Sequence, residues 1–322
     1  MKPVFVVMSS TGAQGGSVCN SLLNDGTYTV RALTSRAGSD RAKALAARGA
    51  EVVEINTKDP QSLQAALGEF HAMFLNTNSA EPGNAGNAEA EAAQGILYVD
   101  CAVKQGAQIF LSTAPEFYRG IPMFEAKKAI TDYLLKQPVR SFLLWVTFYH
   151  TNMLLHPPRI AADGKTVEFA YPIYQPTTKF PVLSTEDDVG PVVMGLLQSK
   201  NSDEFVNKPI VIGAEDLTLP QMAEIYSKVT GQPTRYIRLE EGDYDYLSPE
   251  WSEMAREMLE HDYVSKETYY SLDNRLPGHH LDPARQLAGP LTTWESWLHT
   301  SGFNVFDPVW RNKFMSAPWN GY

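Results

Sequence analysis

Apolar positions along the chain change period repeatedly, and the changes mark out elements. Val4-Phe5-Val6-Val7-Met8 is a continuous apolar run. A loop of Ser, Thr and Gly follows, and then Ser17 to Leu23 carries apolar residues at helical spacing. This order predicts a buried strand, a tight turn and a helix. The alternation continues. Tyr28-Thr29-Val30-Arg31-Ala32-Leu33, Glu51-Val52-Val53-Glu54-Ile55, Ala72-Met73-Phe74-Leu75 and Gln108-Ile109-Phe110-Leu111 read as strands. Helices lie between them: Ser39 to Arg48 closed by Gly49, one opened by Asp59-Pro60 as cap and first turn, and one through Glu91 to Lys104. Strands alternating with helices predict an α/β fold built on a doubly wound parallel sheet with right-handed crossovers.

The pattern changes after about Asn152. His156-Pro157-Pro158 breaks the chain, and residues 166–186 read as short strands or loops. Asp187 to Leu197 predicts a helix, Pro209-Ile210-Val211-Ile212 a strand that returns to the main sheet, and Thr218 to Gly231 a capped helix. Residues 1–155 are therefore expected to form the first domain, with returning segments at about 184–213. Residues 156–322 are expected to form a smaller, interleaved C-terminal α+β substrate domain and tail. A length of 322 residues accommodates both.

Composition narrows the functions. Hydrophobic residues at 43% and charged residues at 20% describe an ordinary globular chain. The net charge of -10 repels phosphate backbones, so no nucleic-acid partner is expected. No apolar stretch reaches the roughly 18 residues that a membrane span requires, so no membrane association is expected. The first residues lack the charged start and cleavage site of a secretory signal, so the expected location is cytoplasmic. Cys19 and Cys101 stand in no Cys-x-x-Cys or Cys/His cluster, so neither a metal site nor a disulfide is expected.

The candidate chemistry begins at Ser9-Ser10-Thr11-Gly12-Ala13-Gln14-Gly15-Gly16, between the first strand and the first helix. Glycine there lets the backbone approach a pyrophosphate, and the helix N-terminus offers free N–H groups. The alternative is a purely structural turn. The second strand ends in Thr34-Ser35-Arg36 with no acid to take a ribose 2′-hydroxyl. Arg36 can pair with a 2′-phosphate, which favours NADP(H) over NAD, although a solvated surface arginine fits the pattern too.

Several strings together resemble the NmrA-like family, an atypical branch of the short-chain dehydrogenase/reductases. They are Thr11 to Val18, Lys43-Ala44-Leu45, Gly49 to Val53, Asp59 to Leu63, Phe74-Leu75-Asn76-Thr77-Asn78, Asp188-Val189-Gly190-Pro191, Val229-Thr230-Gly231 and Trp294 to Leu298. The resemblance covers about residues 3–300 and implies that residues 1–155 are a Rossmann-type dinucleotide-binding domain, with NAD(P) bound in the loop beneath a small C-terminal domain. Together with the reading of Arg36, it puts the candidate cofactor contacts at Ser9, Thr11, Gly12, Ala13, Gln14, Gly15, Arg36, Asn56, Asn76, Thr77 and Lys127. The family contains reductases, fungal secondary-metabolite enzymes among them, and also dinucleotide sensors that control a regulatory protein.

The departures matter as much. The family loop opens on glycine where this chain has Ser9, its arginine after the second strand falls at Ser35, and its acid after the third strand is Asn56. Where the superfamily carries Tyr-x-x-x-Lys, this chain reads Met123-Phe124-Glu125-Ala126-Lys127. Lys127 is retained as a candidate for the ribose hydroxyls, but Met123 donates no proton. Thr113, Tyr118, Tyr149 and His150 are candidate replacements, each a type that also serves simply as packing. Alternatively, hydride addition to a preformed iminium needs no acid.

The expected function is an NADP(H)-dependent oxidoreductase tailoring a bulky, hydrophobic secondary metabolite of alkaloid type, cationic under the iminium reading. Hydride transfer to or from C=N or C=O would accompany a cyclase-like or redox-neutral course. The competing expectation is a non-catalytic NADP sensor with a protein partner. Nine acids between Glu240 and Asp262 face one base, Arg256. With Tyr244, Tyr246, Trp251, Tyr263, Tyr269 and Tyr270, they form either a ligand pocket or the small domain's own solvated face and core.

Overall fold

The computed structural model describes residues 2–57, 59–79, 83–84, 86–114, 122–155, 158–171, 175–239 and 280–310. The first half alternates as expected: β1 (Val4–Val7), α1 (Ala13–Asp25), β2 (Thr29–Thr34), α2 (Asp40–Ala47), β3 (Glu51–Glu54), α3 (Pro60–Leu67), β4 (Ala72–Leu75), α4 (Ala88–Gln105), β5 (Gln108–Thr113), α5 (Pro122–Leu134) and β6 (Ser141–Val146). After β7 (Phe148–Tyr149), α6 (Asn152–Leu155), β8 (Arg159–Ile160), β9 (Val167–Tyr171) and β10 (Lys179–Leu183), α7 (Thr185–Gln198) leads to β11 (Pro209–Ile212). Then come β12 (Glu215–Thr218), α8 (Leu219–Thr230), β13 (Thr234–Arg238), α9 (Asp282–Ala288) and α10 (Trp294–Ser301).

Seven strands form one sheet in the order β11-β6-β5-β4-β1-β2-β3, all parallel. The chain reverses direction across the sheet between β1 and β4, and that is where an open α/β sheet leaves a crevice at the carboxyl ends of its strands. The strand at Pro209 to Ile212 does return, pairing with β6 from Leu143 to Val146. Residues 166–186, read as strands or loops, supply β9 and β10. These join two three-stranded sheets, β12-β10-β7 and β13-β9-β8.

Each face of the main sheet has its own core. Phe5, Val7, Phe74, Phe110, Phe142 and Leu144 pack with α1 and α7. Val6, Met8, Met73, Leu75, Ile109 and Leu111 pack with α3, α4 and α5. Period-two alternation along fully buried strands makes this two-sided arrangement, and it explains why the strands read as near-continuous apolar runs. A third core of Phe148, Phe169, Phe180, Tyr226, Trp294, Trp297 and Phe303 unites the small sheets with α8 and α10.

Local signals act as read. Asp59 accepts from Gln61 N at the start of α3, with Pro60 in the first turn. Thr218 and Gln221 form a reciprocal capping box on α8. α1 and α7 cross with almost no room: a Cβ on Gly190 falls 2.2 Å from Ser17 O, and Gly190 N donates to Ser17 Oγ at 2.9 Å. No helix among the described residues is long and apolar enough to cross a membrane. Those residues also hold no metal-competent cluster of His, Cys, Asp and Glu.

Candidate functional site

The loop between β1 and α1 lies at the crevice. Gly12 is the N-cap of α1, no side chain caps the helix, and its first turn holds no acid. The leading N–H groups of α1 are thus left for an external anion. Gly15 is required by packing: a Cβ there stands 2.4 Å from Ser9 O and 2.7 Å from Met8 O. Ser9, in the place of the family's first glycine, takes a positive φ of 50°. A side chain there costs about 1–2 kcal/mol relative to glycine. Its hydroxyl donates to Asn76 O at 3.3 Å, spanning the crevice from the end of β1 to the end of β4. Ser10 Oγ is buried and finds no partner among the described residues. Thr11 Oγ1 meets Thr34 Oγ1 at 3.0 Å, and Arg36 N donates to the same Thr34 hydroxyl at 3.2 Å.

Arg36 and Asn56 are exposed beyond the ends of β2 and β3, at the edge where the adenosine half of a dinucleotide lies. Two neighbours were not anticipated. Arg41 reaches back to Thr11 O at 3.1 Å and to Glu186 Oε1 at 3.3 Å, tying the loop to α7. The Glu54 carboxylate accepts from Ala37 N at 3.0 Å, so a 2′-phosphate at this turn meets an acid beside Arg36.

Lys127 is held more tightly than expected. Its Nζ donates to Thr77 O and Thr77 Oγ1, both at 2.6 Å, and lies 3.0 Å from Glu91 Oε1. Thr77 Oγ1 in turn donates to Glu91 at 2.6 Å. Three acceptors match the three N–H groups of an ammonium. Lys127 therefore clamps α5 to the end of β4 and to α4, and a ribose hydroxyl that reaches Nζ takes the place of one of these acceptors. Glu91 escaped the sequence reading, although a signal existed. It occupies the same helical stripe as Gly95, Tyr98, Val99 and Ala102, all buried, so an acid stands on a core-facing position.

Thr113 lies at the end of β5 and is buried. Its hydroxyl is turned to α5, 2.7 Å from Thr131 Oγ1 and 3.5 Å from Lys127 O, because odd positions of β5 point to that layer. The hydroxyl on the other face is Ser112, one residue earlier. Ser112 Oγ donates to Gln14 Oε1 at 2.6 Å, and Gln14 Nε2 donates to Tyr149 Oη at 2.7 Å. Burial pushes the Tyr149 phenol up to about 12, with the Gln14 bond pulling the other way.

His150 is not exposed to a ligand. Its ring lies 5.5 Å from Trp294 and 5.6 Å from Trp297, and burial holds its imidazole down at about 3. Tyr118, the side chain of Met123, the acidic aromatic stretch from Glu240 to Tyr270 and the tail beyond Trp310 lie outside the described residues.

Comparison with known proteins agrees with this geometry. The model of the NmrA-like family matches residues 1–298. The NmrA-like family domain-containing oxidoreductase hkm9 of Aspergillus hancockii is 29% identical over 255 residues, covering 74% of this chain and 75% of that one. Among solved structures, NmrA, a negative transcriptional regulator, in complex with NADP superposes with a TM-score of 0.79 at 18% identity, covering 99% of both chains. The NADPH-dependent quinone oxidoreductase QOR2 of Escherichia coli, complexed with NADPH, superposes with a TM-score of 0.72 at 19% identity, covering 93% of this chain and 100% of that one.

Proposed function

Because the chain belongs to the NmrA-like family, we propose that it is an NADP(H)-dependent oxidoreductase that reduces or oxidises a bulky, hydrophobic small molecule of the secondary-metabolite kind. The observation that carries the reading is the β1–α1 loop. An uncapped, acid-free helix N-terminus lies at the sheet's switch point, with Gly15 pressed against the carbonyls of Met8 and Ser9. This is the arrangement that holds a dinucleotide pyrophosphate. Thr11, Gly12, Ala13 and Gln14 would hold the diphosphate, Arg36 the 2′-phosphate, and Asn56, Asn76 and Thr77 the adenosine and ribose edges. The cofactor, when bound, supplies hydride; the chain supplies orientation, water exclusion and a proton. The names of the fungal relatives, oxidoreductases of Aspergillus species among them, support this reading.

One observation favours a second reading, an NADP sensor that binds a regulatory protein. The three N–H groups of Lys127 are already engaged, which suits a clamp as well as a ribose ligand. Calorimetric titration with NADPH, NADP and NADH, on the wild type and on Arg36→Ala, tests the cofactor site. NADPH binding that weakens selectively in the variant is expected, and no binding of any dinucleotide refutes both readings. Loss of the nicotinamide absorbance band on adding fungal metabolite extracts separates the two: a redox state that never changes leaves the sensor.

A further inference from the structure

Gln14 joins three elements at the ligand edge of the sheet: the start of α1, the end of β5 and the residue that closes β7. A primary amide has one accepting end and one donating end. Ser112, buried within β5, places its hydroxyl on the accepting end at 2.6 Å. The donating end then points to Tyr149 Oη at 2.7 Å, and the phenol can only accept there. Its own hydrogen is not used by Gln14, and no acceptor among the described residues takes it. The ring itself is fixed by packing against the core between the main sheet, α1 and α7. A phenol is protonated at neutral pH, and burial pushes this one's ionisation further up.

We infer that Gln14 is a positioning residue: by donating to Tyr149 it leaves the phenolic hydrogen as the proton donor of the ligand crevice, in place of the acid that Met123 lacks. The inference rests on the oxidoreductase reading and narrows its substrate. A carbonyl that gains hydride at carbon takes the Tyr149 proton at oxygen. The products are an alcohol, NADP and a phenolate, whose charge the Gln14 N–H stabilises until water returns the proton. A preformed iminium has no use for this proton, so the arrangement selects a neutral C=O, or a neutral imine, over a cationic acceptor.

The test uses the full chain with tyrosine labelled by carbon-13 at Cζ, whose shift reports phenol ionisation. Tyr149→Phe identifies the signal, which is then followed upward from neutral pH in the wild type and in Gln14→Leu. Loss of an N–H donor to the oxygen is expected to move Tyr149 ionisation to higher pH by roughly one unit. An unchanged or lower midpoint overturns the inference, because it means that Tyr149 donates to Gln14 or does not meet it. Gln14→Met, unbranched and of similar length, repeats the measurement if the leucine variant does not fold. NADPH calorimetry on the same samples keeps the two readings apart. Absent binding in the wild type removes the oxidoreductase, whereas an unshifted phenol with intact binding removes only the role of Gln14.

Discussion

Glu91→Ala offers the sharpest test of how the site is held. The Glu91 carboxylate is 1% exposed and the Lys127 side chain 12% exposed, so the pair is withdrawn from water. In the variant, Lys127 keeps two acceptors on Thr77 but loses its counter-charge, and the Thr77 hydroxyl loses its acceptor. Breaking a buried ion pair from one side costs about 3–5 kcal/mol. The partial exposure of Lys127 places the expectation at the lower end, about 3 kcal/mol. For a chain of this size about 2 °C accompanies each kcal/mol, so the melting midpoint should fall by roughly 6 °C. Lys127→Met should cost a similar amount, since it strands the carboxylate instead. The double variant Glu91→Ala, Lys127→Met should cost much less than the sum, because neither charge is then left buried. Urea unfolding of the four proteins closes the cycle. Single variants that each cost under about 1 kcal/mol and add without coupling would refute the clamp, and with it the account of why Lys127 points as it does.

Gly15→Ala should destabilise the chain by about 1–3 kcal/mol and abolish calorimetric NADPH binding, because the new methyl meets two backbone carbonyls that cannot turn aside. Wild-type affinity in that variant would contradict the loop assignment. Glu54→Gln should shift preference towards NADPH over NADH by a few-fold, since removing one exposed charge near the 2′-phosphate is worth up to about 1 kcal/mol; an unchanged NADPH-to-NADH affinity ratio places the phosphate elsewhere. Tyr149→Phe should lower the rate of NADPH oxidation by a carbonyl substrate by roughly 10²-fold or more while leaving NADPH affinity intact. An unchanged rate removes Tyr149 as the proton donor. The contribution of Asp188 to stability should also rise as pH falls from 6 towards 4. Asp188, pushed up to about 6 by burial although it accepts from Ser184 and Thr292, carries a proton in the folded chain that the unfolded chain binds only near 4. That one group is worth up to about 3 kcal/mol over the window. A wild-type urea midpoint that does not gain on that of Asp188→Asn as pH falls from 7 to 5 would refute it.

The main sheet was legible because its signals are local. Apolar runs of strand length, helices at 3.6-residue spacing, and the caps at Asp59, Thr218 and Gly49 are written within a few residues of where they act. The family strings marked the loop between β1 and α1, and the need for Gly15 follows from a strand, a turn and a helix that are adjacent in sequence. Side-chain alternation along β5 put Ser112 and Thr113 on opposite faces, yet no local feature says which face meets α1. The threonine was therefore the candidate where the serine makes the contact.

What the sequence determined by itself is the alternation of elements, the parallel sheet with its returning strand, and the glycine-bearing turn between β1 and α1, all set by short-range periodicity and turn chemistry. Tertiary structure alone decided the partners. Gln14 and Tyr149 lie 135 residues apart, Ser112 and Gln14 98, and Lys127 and Thr77 50. Such contacts exist only once the sheet order β11-β6-β5-β4-β1-β2-β3 brings the strand ends together, because hydrogen bonds form between neighbours in space and the chain carries no local record of who those neighbours will be.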